Sequence, residues 1–477
     1  MTIRRWGLCL LFGPATVAMA QPVPVPAIIK DINEINDGTG AGGGGTPGGP
    51  RRTASSLPNE MVRVGASSVF FAATDDKKGR ELWVYSTQTA APQRFDLLDG
   101  GQVPLSSDPR LLTPVGTGAF LAANVTVVVS GSNVLRERVM VANGTSAPTV
   151  VTLTGGVPDA YTVQDIAPVG NGVMFALFAS NTLSFWRSDA AGTPAQLVLQ
   201  DNHHRMVGDM LDCAFDGTGF VAFTSMSTNS PGQRLLSALR DPVSPTIDLI
   251  YTGDVDNLTA DGDAVYFTAE DSGTQRLYRW TIASELEEIQ SASGTIEHLM
   301  PAGFAGQQRL YFVLGTSGGA REVWYAFNDK VRFVPWPAGT SNVRITASLL
   351  VGGIPHLLGT GVKSSGSFWA IWRTNSDGSA MTELKELPGW GGCSHLAVNN
   401  AGKLAFFGYY YTGTPDMLSS HLGFVTFVGG LPQVTSDPIP DLTVGSAPSS
   451  LLALDTRVVF RASHRLMGIE PWHRDFP

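Results

Sequence analysis

"KKGRELWVYS" (Lys77–Ser86) reads first as one amphipathic strand, but "MGIEPWHRDF" (Met467–Phe476), at the far end of the chain, repeats its Gly-x-Glu-x-Trp skeleton. Worn copies lie between them in "TLSFWRSD", "QRLYRWTI", "AREVWYAF" and "FWAIWRTN". A phrase written at both ends of a chain, with degraded copies between, marks a repeat architecture, so periodicity is the first property to establish.

Short apolar runs rich in β-branched and aromatic residues recur about every 40 to 55 residues, the size of one four-stranded propeller blade. They are "VFFAAT" from 69, "AFLAAN" from 119, "VMFALF" from 173, "FVAFTS" from 220, "VYFTAE" from 265, "LYFVLG" from 310, "HLLGTG" from 356, "LAFFGY" from 404 and "VVFRAS" from 458. A shorter apolar run precedes most of them, as in "EMVRVG" or "SLLALD", and a Trp-bearing strand follows. Tight turns of Gly, Asp and Asn separate the strands. The only hint of a 3.6-residue apolar period is brief, "IASELEEIQ" from 282, so helix should be scarce. The expectation is an all-β chain, a single β-propeller of four-stranded blades. The runs count nine, and eight stays open because propellers usually have four to eight blades.

"GRELWVYSTQTAAP", "FWRSDAAGTPAQLVL", "IWRTNSDGSAMTEL" and "GIEPWHRDF" resemble the ELWxxDGTxxGT repeat of secreted bacterial (hyalin-like) proteins. In that pattern a Gly-x-Glu-Leu-Trp strand leads into a Ser-Asp-Gly-Thr turn, and a Val-Lys-Asp-Ile strand and a Gly-rich loop follow. The resemblance covers essentially all of the chain after residue 20, although the second, fourth and eighth repeats lack the Trp. It implies a β-propeller and brings no settled activity. Its last element stands at the wrong end, in "IIKDINEINDGTGAGGGG" from Ile28, while the last repeat stops after its Trp strand. Ala27 to Ile32 should therefore complete the C-terminal blade and close the ring, hiding an edge that would otherwise aggregate.

The repeated residues have a structural reading. Alternation puts Glu81 and Trp83 on one strand face and Leu82 on the other, and a blade packed between two neighbours buries both faces. Trp83, Trp186, Trp324, Trp372 and Trp472 become filler between blades. Glu81, Glu322 and Glu470, two residues before a Trp, should accept hydrogen bonds from a neighbouring blade, since a buried carboxylate must find donors.

Arg4 and Arg5 precede an apolar run from Trp6 to Val17, and Ala18-Met19-Ala20 stands before Gln21. That is the layout of a cleaved secretory signal, residues 1–20, with cleavage near Ala20. The run falls short of the ~20 residues that cross a bilayer, so the remaining chain, 21–477, is expected outside the cytoplasm without membrane insertion, as a monomer. Residues 38–56, "GTGAGGGGTPGGPRRTASS", have the composition of a flexible loop. With 32 basic against 41 acidic residues and a net charge of -9, a nucleic-acid backbone is excluded as partner, because that binding needs clustered Lys and Arg. Cys213 and Cys393 lie in widely separated repeats and read as buried free thiols, with one bridge as the alternative.

Chemistry has few candidates. Asp254, Asp256, Asp261 and Asp263 in "GDVDNLTADGD" offer hard oxygen ligands for calcium, the one cofactor suggested, though not at EF-hand spacing. His203 and His204 are the only histidine pair. Trp390, on a Gly-rich loop, and Tyr409 and Tyr411, in "FFGYYYTGTPD", are candidate aromatic platforms for a sugar or protein. The functional expectation is a binding or structural module with a protein or glycan ligand. Its rival is a carbohydrate-active enzyme, a glycoside hydrolase or polysaccharide lyase, whose paired carboxylates a single sequence does not reveal.

Overall fold

A computed structural model describes residues 27–28 and 56–477, apart from 76–77, 90, 99–105, 156–158, 214–219, 231–232, 241–244, 262–263, 282, 305–306, 317–318, 328–329, 376, 412–417, 429–430, 440–447 and 465–467. The expected flexible loop at 38–56 lies outside these except for its last residue. Among the described residues there are nine sheets and no helix. Among the described residues no helix is long and apolar enough to cross a membrane.

Each sheet is a meander of consecutive antiparallel strands, so the chain builds blades 1 to 9 in order. Blade 1 runs Asn59–Val64, Ser68–Asp75, Gly79–Ser86 and Gln93–Phe95. The first strand of every blade packs beside the first strand of the next, and that of blade 9, Ser449–Ala453, packs beside Asn59–Val64, which closes a nine-membered ring. First strands are therefore innermost. The result is a nine-bladed β-propeller. Blade 3 adds one element, Leu153–Thr154, laid parallel to its outer strand Ala195–Asp201.

The displaced N-terminal element, expected at Ala27 to Ile32, completes blade 9 at Ala27–Ile28, and residues 29–32 lie outside the described residues. Blade 9 supplies Ser449–Ala453, Arg457–His464 and Gly468–Asp475, and Ala27–Ile28 adds the fourth strand, with Ala27 opposite His473 and Ile28 opposite Trp472.

Burial explains why both strand faces are apolar. Nine hydrophobic clusters occupy the nine seams. On Gly79–Ser86, Trp83 and Tyr85 face blade 9 while Leu82 and Val84 face blade 2. Trp83, Trp186, Trp372 and Trp472 are each at most 2% exposed, and Trp324 is half-buried against the blade 5 cluster. Strand register shows who replaces the missing Trp: Met140 in blade 2, Ser237 in blade 4 and Gly423 in blade 8. At Gly423 a side chain has no room, because a Cβ would come within 2.6 Å of the Phe406 ring, which fills the space. One sequence assignment shifts. In "QRLYRWTI" the repeat's Trp site belongs to Tyr278, opposite Phe267, and Trp280 stands two residues on, where blade 1 has Tyr85.

Glu81 and Glu470 are fully buried and tied to the next blade. Glu81 accepts from the Ser107 hydroxyl at 2.6 Å and its backbone N–H at 3.2 Å, on the approach to blade 2. Glu470 repeats this with Ser56, at 2.7 and 3.1 Å, on the approach to blade 1. Glu322 departs from the pattern: it is half-buried and accepts the indole N–H of its own Trp324 at 3.0 Å.

Candidate functional site

A meander gives the disc two unlike faces. On one, first and second strands join through tight turns such as Val64-Gly65, Val115-Gly116, Val169-Gly170 and Val351-Gly352, whose glycines take φ of 56 to 61°, beside the loops between third and fourth strands. On the other lie the connections between blades and the hairpins between second and third strands. In blade 2 that hairpin, Gly118–Val129 and Ser132–Asn143, has twelve-residue strands. Loops displayed on a rigid scaffold are where binding concentrates.

At the axis every innermost strand is irregular. All nine shift register against their second strand. In seven of them a non-glycine residue within the shift takes positive φ: Glu60, Leu111, Asn257, His298, Asn342, His395 and Ser450. Such bulges re-aim side chains, and each left-handed residue stores ~1–3 kcal/mol of strain that its surroundings must hold. Holding comes from ties between adjacent inner strands. Glu60 accepts the Leu112 N–H at 3.2 Å, Thr113 donates to the Ile166 carbonyl at 2.8 Å, and Asp165 accepts the Met210 N–H. Asn257 donates to the Ile296 carbonyl at 3.0 Å. Nothing in the periodicity of the sequence announces this ring, because a bulge is a property of two paired strands.

Between the inner strands of blades 5 and 6, Asp256–Asp261 and Ile296–Phe304, the wall opens into a cleft of about 460 Å³. Asn257, Leu258, Thr259, Glu297, His298 and Leu299 line it. Arg321 grips Glu297 through two nitrogens at 3.1 and 3.2 Å, and the Thr295 hydroxyl donates to it at 2.8 Å. The His298 ring bonds Ser348 of blade 7 through Nδ1 at 3.0 Å. Burial lowers the His298 pKa from its ordinary value and so favours the neutral imidazole.

The other sequence candidates fall elsewhere. Asp254 is exposed and paired with Arg234 at 2.9 Å. Asp256 opens its strand on the loop-bearing face and Asp261 ends it at the opposite face, roughly 16 Å away at ~3.3 Å per residue. The pair therefore does not converge on one cation. The Asp261 side chain and all of Asp263 lie outside the described residues. His204 bonds Asp201 at 2.8 Å, and Asp201 also accepts both backbone N–H groups of the His203-His204 turn, which makes it a turn cap. Trp390 corrects the aromatic-platform expectation. It is 8% exposed and packs on Phe406, Tyr410 and His421, so its ring is filler between blades 7 and 8. Tyr409 is half-buried beside Gly392, and the Tyr411 side chain lies outside the described residues. Cys393 is a buried free thiol with its pKa pushed up to about 12 by burial; the Cys213 side chain lies outside the description.

No protein-family model and no curated protein sequence matches the chain. Similar solved structures include the tricorn protease, at TM-score 0.34 and 10% identity over 86% of this chain and 52% of that one. The chain thus spans about half of that protein. Others are an oligogalacturonate lyase from Vibrio parahaemolyticus, at TM-score 0.37 and 15% identity over 75% and 97%, and the WD40 domain of SCAP from fission yeast, at 0.42 and 10% over 88% and 95%. At such values the likeness carries no argument about chemistry.

Proposed function

We propose that the chain is exported and works as a binding module, a rigid ring that offers its loop-bearing face and axial mouth to a glycan or protein outside the cytoplasm. The observation that carries this reading is the asymmetry of the disc: the turns between first and second strands lie on one face, the connections between blades and the second-to-third-strand hairpins on the other, and nine bulged inner strands surround the axis. The signal-like start at 1–20, the acidic balance and the resemblance to secreted ELWxxDGTxxGT-repeat proteins support export. The module acts as a monomer, needs no calcium and does not insert into a membrane.

The test is a thermal-shift screen of the chain from Gln21 against bacterial, plant and animal polysaccharides, with calcium supplied or chelated. A ligand that binds only the folded form raises the melting temperature by mass action. A reproducible rise with one glycan class is the expected result, and new reducing ends in the same tubes would move the assignment to a carbohydrate-active enzyme. No shift with any glycan, together with no stoichiometric cross-linked envelope protein, would overturn the reading.

A further inference from the structure

We infer that the cleft between the innermost strands of blades 5 and 6 is a binding site for an uncharged saccharide, an inference that rests on the binding reading above and gives it a place and a ligand class. The argument begins with charge. The lining holds one carboxylate, Glu297, and Arg321 neutralises it with both guanidinium contacts. Burial favours the neutral form of His298. An ionic ligand entering this cleft would lose water and find no unengaged opposite charge among the lining residues, an unfavourable exchange.

Hydrogen-bonding capacity points the same way. The Asn257 amide nitrogen is spent on the Ile296 carbonyl and the Thr268 hydroxyl, at 3.0 and 3.1 Å, which leaves its carbonyl oxygen as an acceptor. His298 keeps Nε2 after Nδ1 engages Ser348. Thr259 adds a hydroxyl, while Leu258 and Leu299 give the same cleft apolar surface. Neutral donors and acceptors set against apolar walls suit a molecule with a hydroxyl edge and a carbon-rich face, which is a sugar. About 460 Å³ falls within the ~300–1,000 Å³ of small-molecule sites.

Positioning is the second support. Asn257 and His298 occupy matching places in adjacent bulges and share left-handed backbone, with φ of 50 and 53°. Both are residue types that tolerate this region, so the strained backbone fixes two polar side chains side by side without help from a ligand.

The experiment is calorimetric titration of the chain from Gln21 with cellohexaose, maltohexaose, xylohexaose and N-acetylglucosamine hexamer, and with hexagalacturonate as the anionic counterpart. The variants are Asn257→Gly and His298→Asn, which keep residues suited to positive φ, and Arg187→Ala, on the tight-turn face, as control. One neutral oligosaccharide should bind, each cleft variant should weaken it roughly tenfold or more, and Arg187→Ala should bind like the parent. Saturating sugar should also protect His298 of the unaltered chain from diethyl pyrocarbonate. The inference is overturned by preference for hexagalacturonate, by cleft variants that bind like the parent, by undiminished labelling of His298, or by binding of none of the five sugars. In each of these cases a polysaccharide or envelope protein bound elsewhere on the loop-bearing face would leave the proposed function standing.

Discussion

Two seams of the ring are held in different ways. Between blades 6 and 7 the heart of the contact is aromatic: Trp372 lies fully buried, with Trp336 5.4 Å and Phe368 6.0 Å away between ring centres, and polar ties run beside it from His298 to Ser348, from Arg309 to the Asp377 carbonyl and from Tyr311 to the Gly378 carbonyl. Between blades 9 and 1 the apolar cluster is smaller, and polar ties cross it: Glu470 to Ser56, Arg457 to Tyr85, Arg461 to the Pro58 carbonyl at 3.2 Å and the Asp455 N–H to the Ala66 carbonyl at 3.0 Å. Blades 6 and 7 are joined by a short connection, which already limits how they meet, so burial around Trp372 supplies the larger part of the hold there. Blades 9 and 1 have no such connection. Directional bonds fix their register, and the same Glu–Ser device recurs on the far side of blade 1, at Glu81 and Ser107.

The sharpest way to break this contrast is at its apolar pole. Trp372→Ala should cost about 3–5 kcal/mol by lost transfer energy and the cavity left behind, read as the largest fall in denaturant midpoint of any variant here. Next comes the polar pole. Glu470→Ala strands the Ser56 N–H in a buried site, while the Ser56 hydroxyl keeps the Ile469 carbonyl at 3.0 Å, and should cost about 1–3 kcal/mol, whereas Glu322→Ala, at a half-buried carboxylate bonded within its own strand, should stay within about 0.5 kcal/mol. Equal losses for the two glutamates would erase the distinction between a carboxylate tied to the next blade and one bonded within its own strand. Removing residues 21–36 should lower the melting temperature by exposing the edge of Gly468–Asp475, and an unchanged value would refute closure by the N-terminal strand.

The clamp also predicts a pH effect. Burial raises the Glu81 pKa above its ordinary value, against the opposing hydrogen bonds from Ser107 and Leu97. The fold therefore prefers the protonated form: this contribution is complete below about pH 4.5 and is lost as pH rises through the folded-state value. Glu81→Gln removes the ionisation, so its melting temperature relative to the parent should climb from pH 4.5 to 8; a constant difference would contradict the assignment. The smallest effect is a gain. The indole N–H of Trp372 finds no hydrogen-bond partner, whereas Trp186 donates to Ser184 at 3.0 Å from the equivalent place. Ala370 occupies the Ser184 position in blade 7, so Ala370→Ser should stabilise the chain by about 1 kcal/mol.

How much of this was legible follows from the range of each signal. Blade count and strand order show in "VFFAAT" and its copies because alternation and turn residues are local. Closure shows in "IIKDIN" only because a repeat had been cut in two. The tie of Glu81 was readable as a need for donors, but not its partner, since Ser107 belongs to the next blade's approach. Trp280 misled because residue identity repeats where register does not, and Trp390 because its Gly-rich stretch opens a strand, Trp390–Val398, whose first ring packs into the seam. The bulged inner strands, and with them Asn257 and His298, left no trace that a single strand could carry: they exist only in the pairing.

The N-terminal strand has a kinetic meaning. Ala27 and Ile28 are synthesised before every blade, yet their partners His473 and Trp472 stand in the last-made strand of blade 9. The edge of Gly468–Asp475 is therefore covered only by a pairing that spans all nine blades. Such long-range pairing slows folding, which makes closure of the ring a late step of assembly.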